Sequence, residues 1–213
     1  MIRTHSPQEI LLLLPALLFA FSIHELSHGL MAYILGDGTA KRDGRLSLNP
    51  IRHIDPIGLL CILVAGFGWA KPVMVNPDNL KNPKVDMALI SIAGPISNFL
   101  MAFLSLIILF PLAYFVPGLP FSIIIVFRTF CWLNIMLGVF NLIPVPPLDG
   151  SKVIAGLLPD SVYYNLPPIG RFSMIILIVL VFTGAIGQVL LPMTEAIDGM
   201  LFRFTAGIFG VLL

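Results

Sequence analysis

His24-Glu25-Leu26-Ser27-His28 lies inside an apolar run from Ile10 to Leu35 and holds the run's only charged or imidazole side chains. A run of that length can cross a bilayer as a helix, which takes about 20 residues. On a helix, residues four apart stack on one face, so both imidazoles can reach a single metal ion. Glu25 is rotated from that face by about 100° and leans toward a water on the ion's open side. The pattern predicts a zinc hydrolase site within a membrane helix. Ionisable groups at the bilayer centre cost about 2.5–3.5 kcal/mol each on insertion scales, so three together call for a compensating partner, and a cation is the natural one.

The rest of the composition agrees. Hydrophobic residues make up 58% of the 213, charged residues 11%, and mean hydropathy is +0.99, which describes an all-α polytopic membrane protein. A net charge of +1 offers no surface for nucleic acid. Residues 1–213 read as a single domain, because the spans leave no length for a separate soluble one. Cys61 and Cys131 lie far apart in apolar segments and read as small hydrophobes.

About five transmembrane helices are expected, at approximately 10–35, 87–115, 121–143, 169–191 and 193–213, the last of which could span or lie in the interface. The first reads as a retained span, since no small-residue cleavage site follows it. Between the first two spans, Arg45-Leu46-Ser47-Leu48-Asn49 alternates polar and apolar, and Lys71–Pro77 is bounded by prolines. Both read as short strands of a small membrane-associated β element. The apolar stretch 57–69 is too short to span and reads as re-entrant or embedded. Asn98 requires a hydrogen-bonding partner within the bundle, and Arg128 has none that the sequence identifies. In Asn141-Leu142-Ile143-Pro144-Val145-Pro146-Pro147-Leu148-Asp149-Gly150 the prolines forbid a continuous helix, so this segment is expected to project Asn141 and Asp149 from an extended break.

Charge sets the topology. Of the twelve Lys and Arg, four lie in 36–56, three in 70–86 and one in 144–168, whereas 116–120 has none. If 57–69 does not span, all three basic connectors share one side, which the positive-inside rule makes cytoplasmic. His24, His28 and Asp149 then approach from that same side. A catalytic zinc site needs three protein ligands. Asp149, acidic and held in a rigid break, is a better third ligand than Asp43, Asp55 or Asp160 in ordinary connectors, and His5 and His53 read as solvated side chains.

With His24-Glu25-Leu26-Ser27-His28, Ala93-Gly94-Pro95-Ile96-Ser97-Asn98 and Asn141 through Gly150 in that order, the chain resembles the site-2 proteases, intramembrane zinc metalloproteases. The resemblance covers the whole chain and implies a minimal form without PDZ or nucleotide-sensing domain. It implies that His24, His28 and Asp149 bind one Zn2+ per chain, that Glu25 is the general base, and that Asn141 helps to hold the substrate carbonyl. The expected substrate is a transmembrane protein cleaved within or near a membrane segment, in contact with the lipid bilayer; a homo-oligomer stays open. The expected location is a multi-pass position in the membrane, the cell membrane in a prokaryote, with the site opening toward the cytoplasm. A non-proteolytic zinc-binding chaperone or scaffold, which would not need Glu25, and a small transporter are the competing classes.

Overall fold

The computed structural model describes residues 7–65, 68–163, 165 and 172–210. Helix α1 (Pro7–Ile34) is followed by a short α2 (Thr39–Arg42), a 3-10 turn at Pro50–Arg52 and α3 (Pro56–Ala65). A second 3-10 turn at Pro77–Asn79 leads into α4 (Pro83–Phe115), and α5 (Phe121–Leu142) returns antiparallel to it. Then come α6 (Asp149–Leu157), the single turn α7 (Asp160–Tyr163), α8 (Ser173–Phe182) and α9 (Ala185–Ile208).

Leu13–Ile34, α4 and α5 are each long and apolar enough to cross a membrane, and α8 with α9 forms a pair bent by 74° that qualifies only together. The apolar pattern alone divides this region into separate spans at Pro192. Pro192 instead lies inside α9, where it forfeits only the bond to the Gln188 carbonyl, and the bend falls at Thr183-Gly184, with Gly184 at φ 77°. The expected 169–191 and 193–213 spans thus become one bent pair, whose ends at 169–171 and 211–213 lie outside the described residues. Helix α3 has 10 residues, about 15 Å of rise, which is too short to span.

Helix α4 is the centre of the bundle, packing on α1, α5, α6 and α9. Ile96, Leu100, Leu104 and Ile108 recur every fourth residue and are exposed, as lipid-facing positions should be. The opposite face buries Gly94, Asn98, Ala102, Ser105, Leu106 and Leu109. Ala102 and Leu106 meet Cys131, Ile135 and Val139 of α5, and Ile197, Leu201 and Phe202 of α9 close over them. Hydroxyls buried in this apolar interior return their hydrogen bonds to their own helices: Ser22 to Leu18 O, Ser105 to Ala102 O and Thr194 to Leu190 O.

The β element expected between the first two spans does not form: among the described residues there is an isolated antiparallel bridge, Ile54 to Ala70, and no strand. At 45–49 the chain turns back on itself, since Ser47 N–H donates to Arg45 O two residues earlier. Asn49 then accepts from Ile51 N–H and caps the 3-10 turn, so alternation in sequence never becomes a ladder. His53, read as solvated, is buried at the centre of this segment and donates from Nε2 to Ser47 O at 2.7 Å. His5 lies outside the described residues. Among the described residues, segment 71–76 is extended without a strand partner, and three of its N–H groups go to the first span and its loop: Lys71 N–H to His53 O, Val73 N–H to Glu25 and Asn76 N–H to Asp37.

Candidate metal centre

His24 and His28 lie on one face of α1, ten and six residues before its end, or about 15 and 9 Å of helix rise inside the membrane-spanning stretch. Their rings meet edge to face with centroids 4.5 Å apart. Both are pressed against Gly94 of α4, where a Cβ would stand 2.5 Å from His28 Nε2 and 2.6 Å from His24 Cε1. Pro95, lacking an N–H for the preceding turn, loosens α4 beside this contact. The Ile90 carbonyl in that turn accepts a hydrogen bond from His28 Nδ1 at 2.7 Å.

The third group comes from 125 residues further along the chain. Helix α5 persists through Leu142, and the prolines then break it until α6 begins at Asp149. Asp149 is therefore buried in the first turn of a new helix, where the helix dipole favours a carboxylate, instead of standing in the extended break. Its Oδ2 is 3.1 Å from both His24 Nε2 and His28 Nε2, and the two Nε2 atoms are 2.9 Å apart. Lys152 Nζ approaches the other oxygen at 3.9 Å. Asn141, expected in the break, is still helical, and its Nδ2 donates to Leu137 O at 3.0 Å.

Hydrogen bonding fixes what these three atoms are. His28 Nδ1 faces a backbone carbonyl, which can only accept, so Nδ1 carries the proton and Nε2 is a lone pair. His24 Nδ1 faces Asn98 Oδ1 at 2.6 Å and is fixed in the same way. Two imidazole lone pairs and a carboxylate oxygen thus converge in a buried space, all three of them acceptors. A tetrahedral ion about 2.0–2.1 Å from each donor needs donor spacings of about 3.3 Å, close to those observed, and two nitrogens with one oxygen suit zinc better than harder ions. The residues fit the metal. Among the described residues, this trio is the group of His, Cys, Asp and Glu side chains whose ligand atoms close to within 4.8 Å of one another.

Glu25, one residue along α1, is rotated by about 100° from His24. Its Oε2 accepts from Val73 N–H at 2.9 Å, so the extended segment 71–76 runs beside Glu25. The sequence brought His24, His28, Asp149 and Glu25 to notice and required a bundle partner for Asn98, but missed the contacts of Asn134 and Val73. Asn134, an amide in an apolar span, carried the same signal as Asn98.

Helices long and apolar enough to cross a membrane, packed around a buried His-His-Asp group, define an integral, multi-pass membrane protein. The family model described as Peptidase family M50 matches residues 119–186, which take in Asp149. The chain is 42% identical over 205 residues to "Putative zinc metalloprotease YwhC" of Bacillus subtilis (strain 168), covering 92% of each chain. It is 27% identical over 184 residues to "Putative zinc metalloprotease Rip2" of Mycolicibacterium smegmatis, covering 84% of this chain and 69% of that one. No solved structure matches it significantly. The chain belongs to peptidase family M50, the site-2 proteases.

Proposed function

We propose that this chain hydrolyses peptide bonds within or near the transmembrane segments of membrane proteins, using zinc held by His24, His28 and Asp149. The observation that carries the reading is the convergence of three buried acceptor atoms at 2.9–3.1 Å. The family and the names of its relatives make it an intramembrane zinc metallopeptidase, and they do not favour a chaperone, scaffold or transporter. Zinc bound there supplies a Lewis acid that renders water nucleophilic near neutral pH.

The chain's own residues do the remaining work. Glu25 is the general base: it accepts the proton of the attacking water and returns it to the leaving amine, and it is free to do so because it is not needed as a ligand. Asn141 uses one amide hydrogen on Leu137 O, and Nδ2 has a second for the substrate carbonyl. A carbonyl in a substrate helix is already hydrogen-bonded, so the substrate unwinds locally, and the extended segment 71–76 beside Glu25 is placed to receive it. Residues 1–213 act as one protease domain. The site opens toward the cytoplasm, a reading supported by Lys84, in the first turn of α4, which pairs with Asp160 of α7 at 2.7 Å and so joins the start of α4 to the chain after α6 at one basic end of the bundle.

Purified protein in detergent, mixed with a single-span substrate, tests this. Cleavage should be lost on chelation, and Glu25→Gln should keep its zinc while losing more than the ~10²–10⁴-fold expected of a simple base. Cleavage that survives chelation overturns the reading; zinc loss in Glu25→Gln makes Glu25 a ligand.

A further inference from the structure

Asn98 and Asn134 are fully buried, and each projects an amide into the apolar interface where α1, α4 and α5 meet. Asn134 Nδ2 donates to Phe130 O at 2.9 Å, within its own helix. Asn98 Nδ2 donates to Asn134 Oδ1 at 3.0 Å, and Asn98 Oδ1 lies 2.6 Å from His24 Nδ1. The direction of every bond in this series follows from its first member. A backbone carbonyl only accepts, so Asn134 turns its nitrogen to Phe130 and its oxygen to Asn98. Asn98 must then turn its nitrogen to Asn134, which also brings it to the Ala20 carbonyl at 3.4 Å, and its oxygen to His24. An amide oxygen accepts but does not donate, which leaves His24 as the Nδ1–H tautomer with its Nε2 lone pair facing Asp149 and His28.

From this we infer that Asn98 is a positioning residue for the metal ligand His24, and that Asn134, by the shorter of the two bonds to the Asn98 nitrogen, acts through it in holding the amide in the one orientation that selects the ligating tautomer. The inference rests on the zinc reading above. An amide suits the place better than the carboxylate that often backs a zinc-bound histidine, because it orients the ring without adding a charge to a membrane interior. His28 is set by Ile90 O, which no side-chain substitution removes, so the relay governs one of the two rings selectively.

The competing account is that Asn98 only packs α4 against α1. The two accounts order the variants oppositely. Zinc-loaded wild type, Asn98→Asp, Asn98→Leu and Asn134→Leu are competed with a chromophoric chelator, and the melting temperature of each preparation is recorded. Asn98→Leu, similar in size but without an acceptor, should bind zinc 10–100-fold more weakly. Asn98→Asp keeps an acceptor for Nδ1–H and should hold zinc close to wild type. If packing were the role, the buried carboxylate would be the worse of the two, and finding Asp weaker than Leu overturns the relay. Asn134→Leu leaves Asn98 in place and serves if Asn98→Leu does not fold; it should weaken zinc several-fold, and wild-type affinity in it overturns the relay as well. Wild type that holds no zinc contradicts the metal reading itself, which separates that failure from this one.

Discussion

Glycine 94 shows how closely the metal centre depends on what is missing from a side chain. Alanine is the better helix former by about 1 kcal/mol, so by propensity Gly94→Ala should stabilise α4. The methyl group would stand 2.5 Å from the His28 ring and 2.6 Å from that of His24, and one of the rings must leave. Gly94→Ala should therefore weaken zinc at least tenfold without unfolding the helix, as measured by chelator competition beside circular dichroism; unaltered affinity would mean that the rings do not lie over α4. At this scale the sequence was informative wherever chemistry is local. His24 and His28 share one helix face, and their spacing alone announces a metal. The partners of their Nδ1 atoms lie 74 and 62 residues away, and no spacing rule reaches them.

Among elements, Asp37 ties the start of the loop from α1 to α4 to its end. Asp37, buried just past α1, accepts from Thr39 N–H and Oγ1–H, from Asn79 Nδ2 and from Asn76 N–H. Burial alone would push this carboxyl up, but these bonds outweigh it and hold its pKa at about 2. Because the folded-state value lies below the ordinary 3.8, the ionised group stabilises the fold at pH above 3.8, and that stability is lost as pH falls toward about 2. Asp37→Asn should melt a few degrees below wild type near neutral pH, and the gap should close on acidification from 3.8 to 2. A gap independent of pH would remove Asp37 from that role. The order of helices was legible here, since α1, α4 and α5 are long apolar runs between Gly- and Pro-rich turns. The strands were not, because alternation specifies a strand only when a neighbour is available to pair with it, and 45–49 bonds to itself instead. Asp149 was found because three prolines announced a break, although the break ends one residue before it and the carboxylate enters on a helix.

Across the whole molecule, α9 is tied to the core through the ion pair that sequence left unresolved. Arg128 Nη2 meets Asp198 Oδ2 at 2.7 Å, and the guanidinium lies 5.0 Å from the Phe202 ring. The two residues are 70 apart, so neither revealed the other. Removing one partner leaves the other unsatisfied within the bundle, at about 1–3 kcal/mol. Arg128→Met and Asp198→Leu should each lower the melting temperature in detergent, and the double variant should lose less than the sum; strict additivity would show that the pair is not coupled. The distance along the chain between the histidines and Asp149 has a consequence for biogenesis. A chain made from its N-terminus brings α1 into the membrane with two imidazoles and a carboxylate before α4 offers Asn98, and well before α6 delivers Asp149. On the function proposed above, the nascent protein has no complete metal site until Asp149 arrives, so the capacity to cut peptide bonds is acquired only after α1, α4 and α5 have been made.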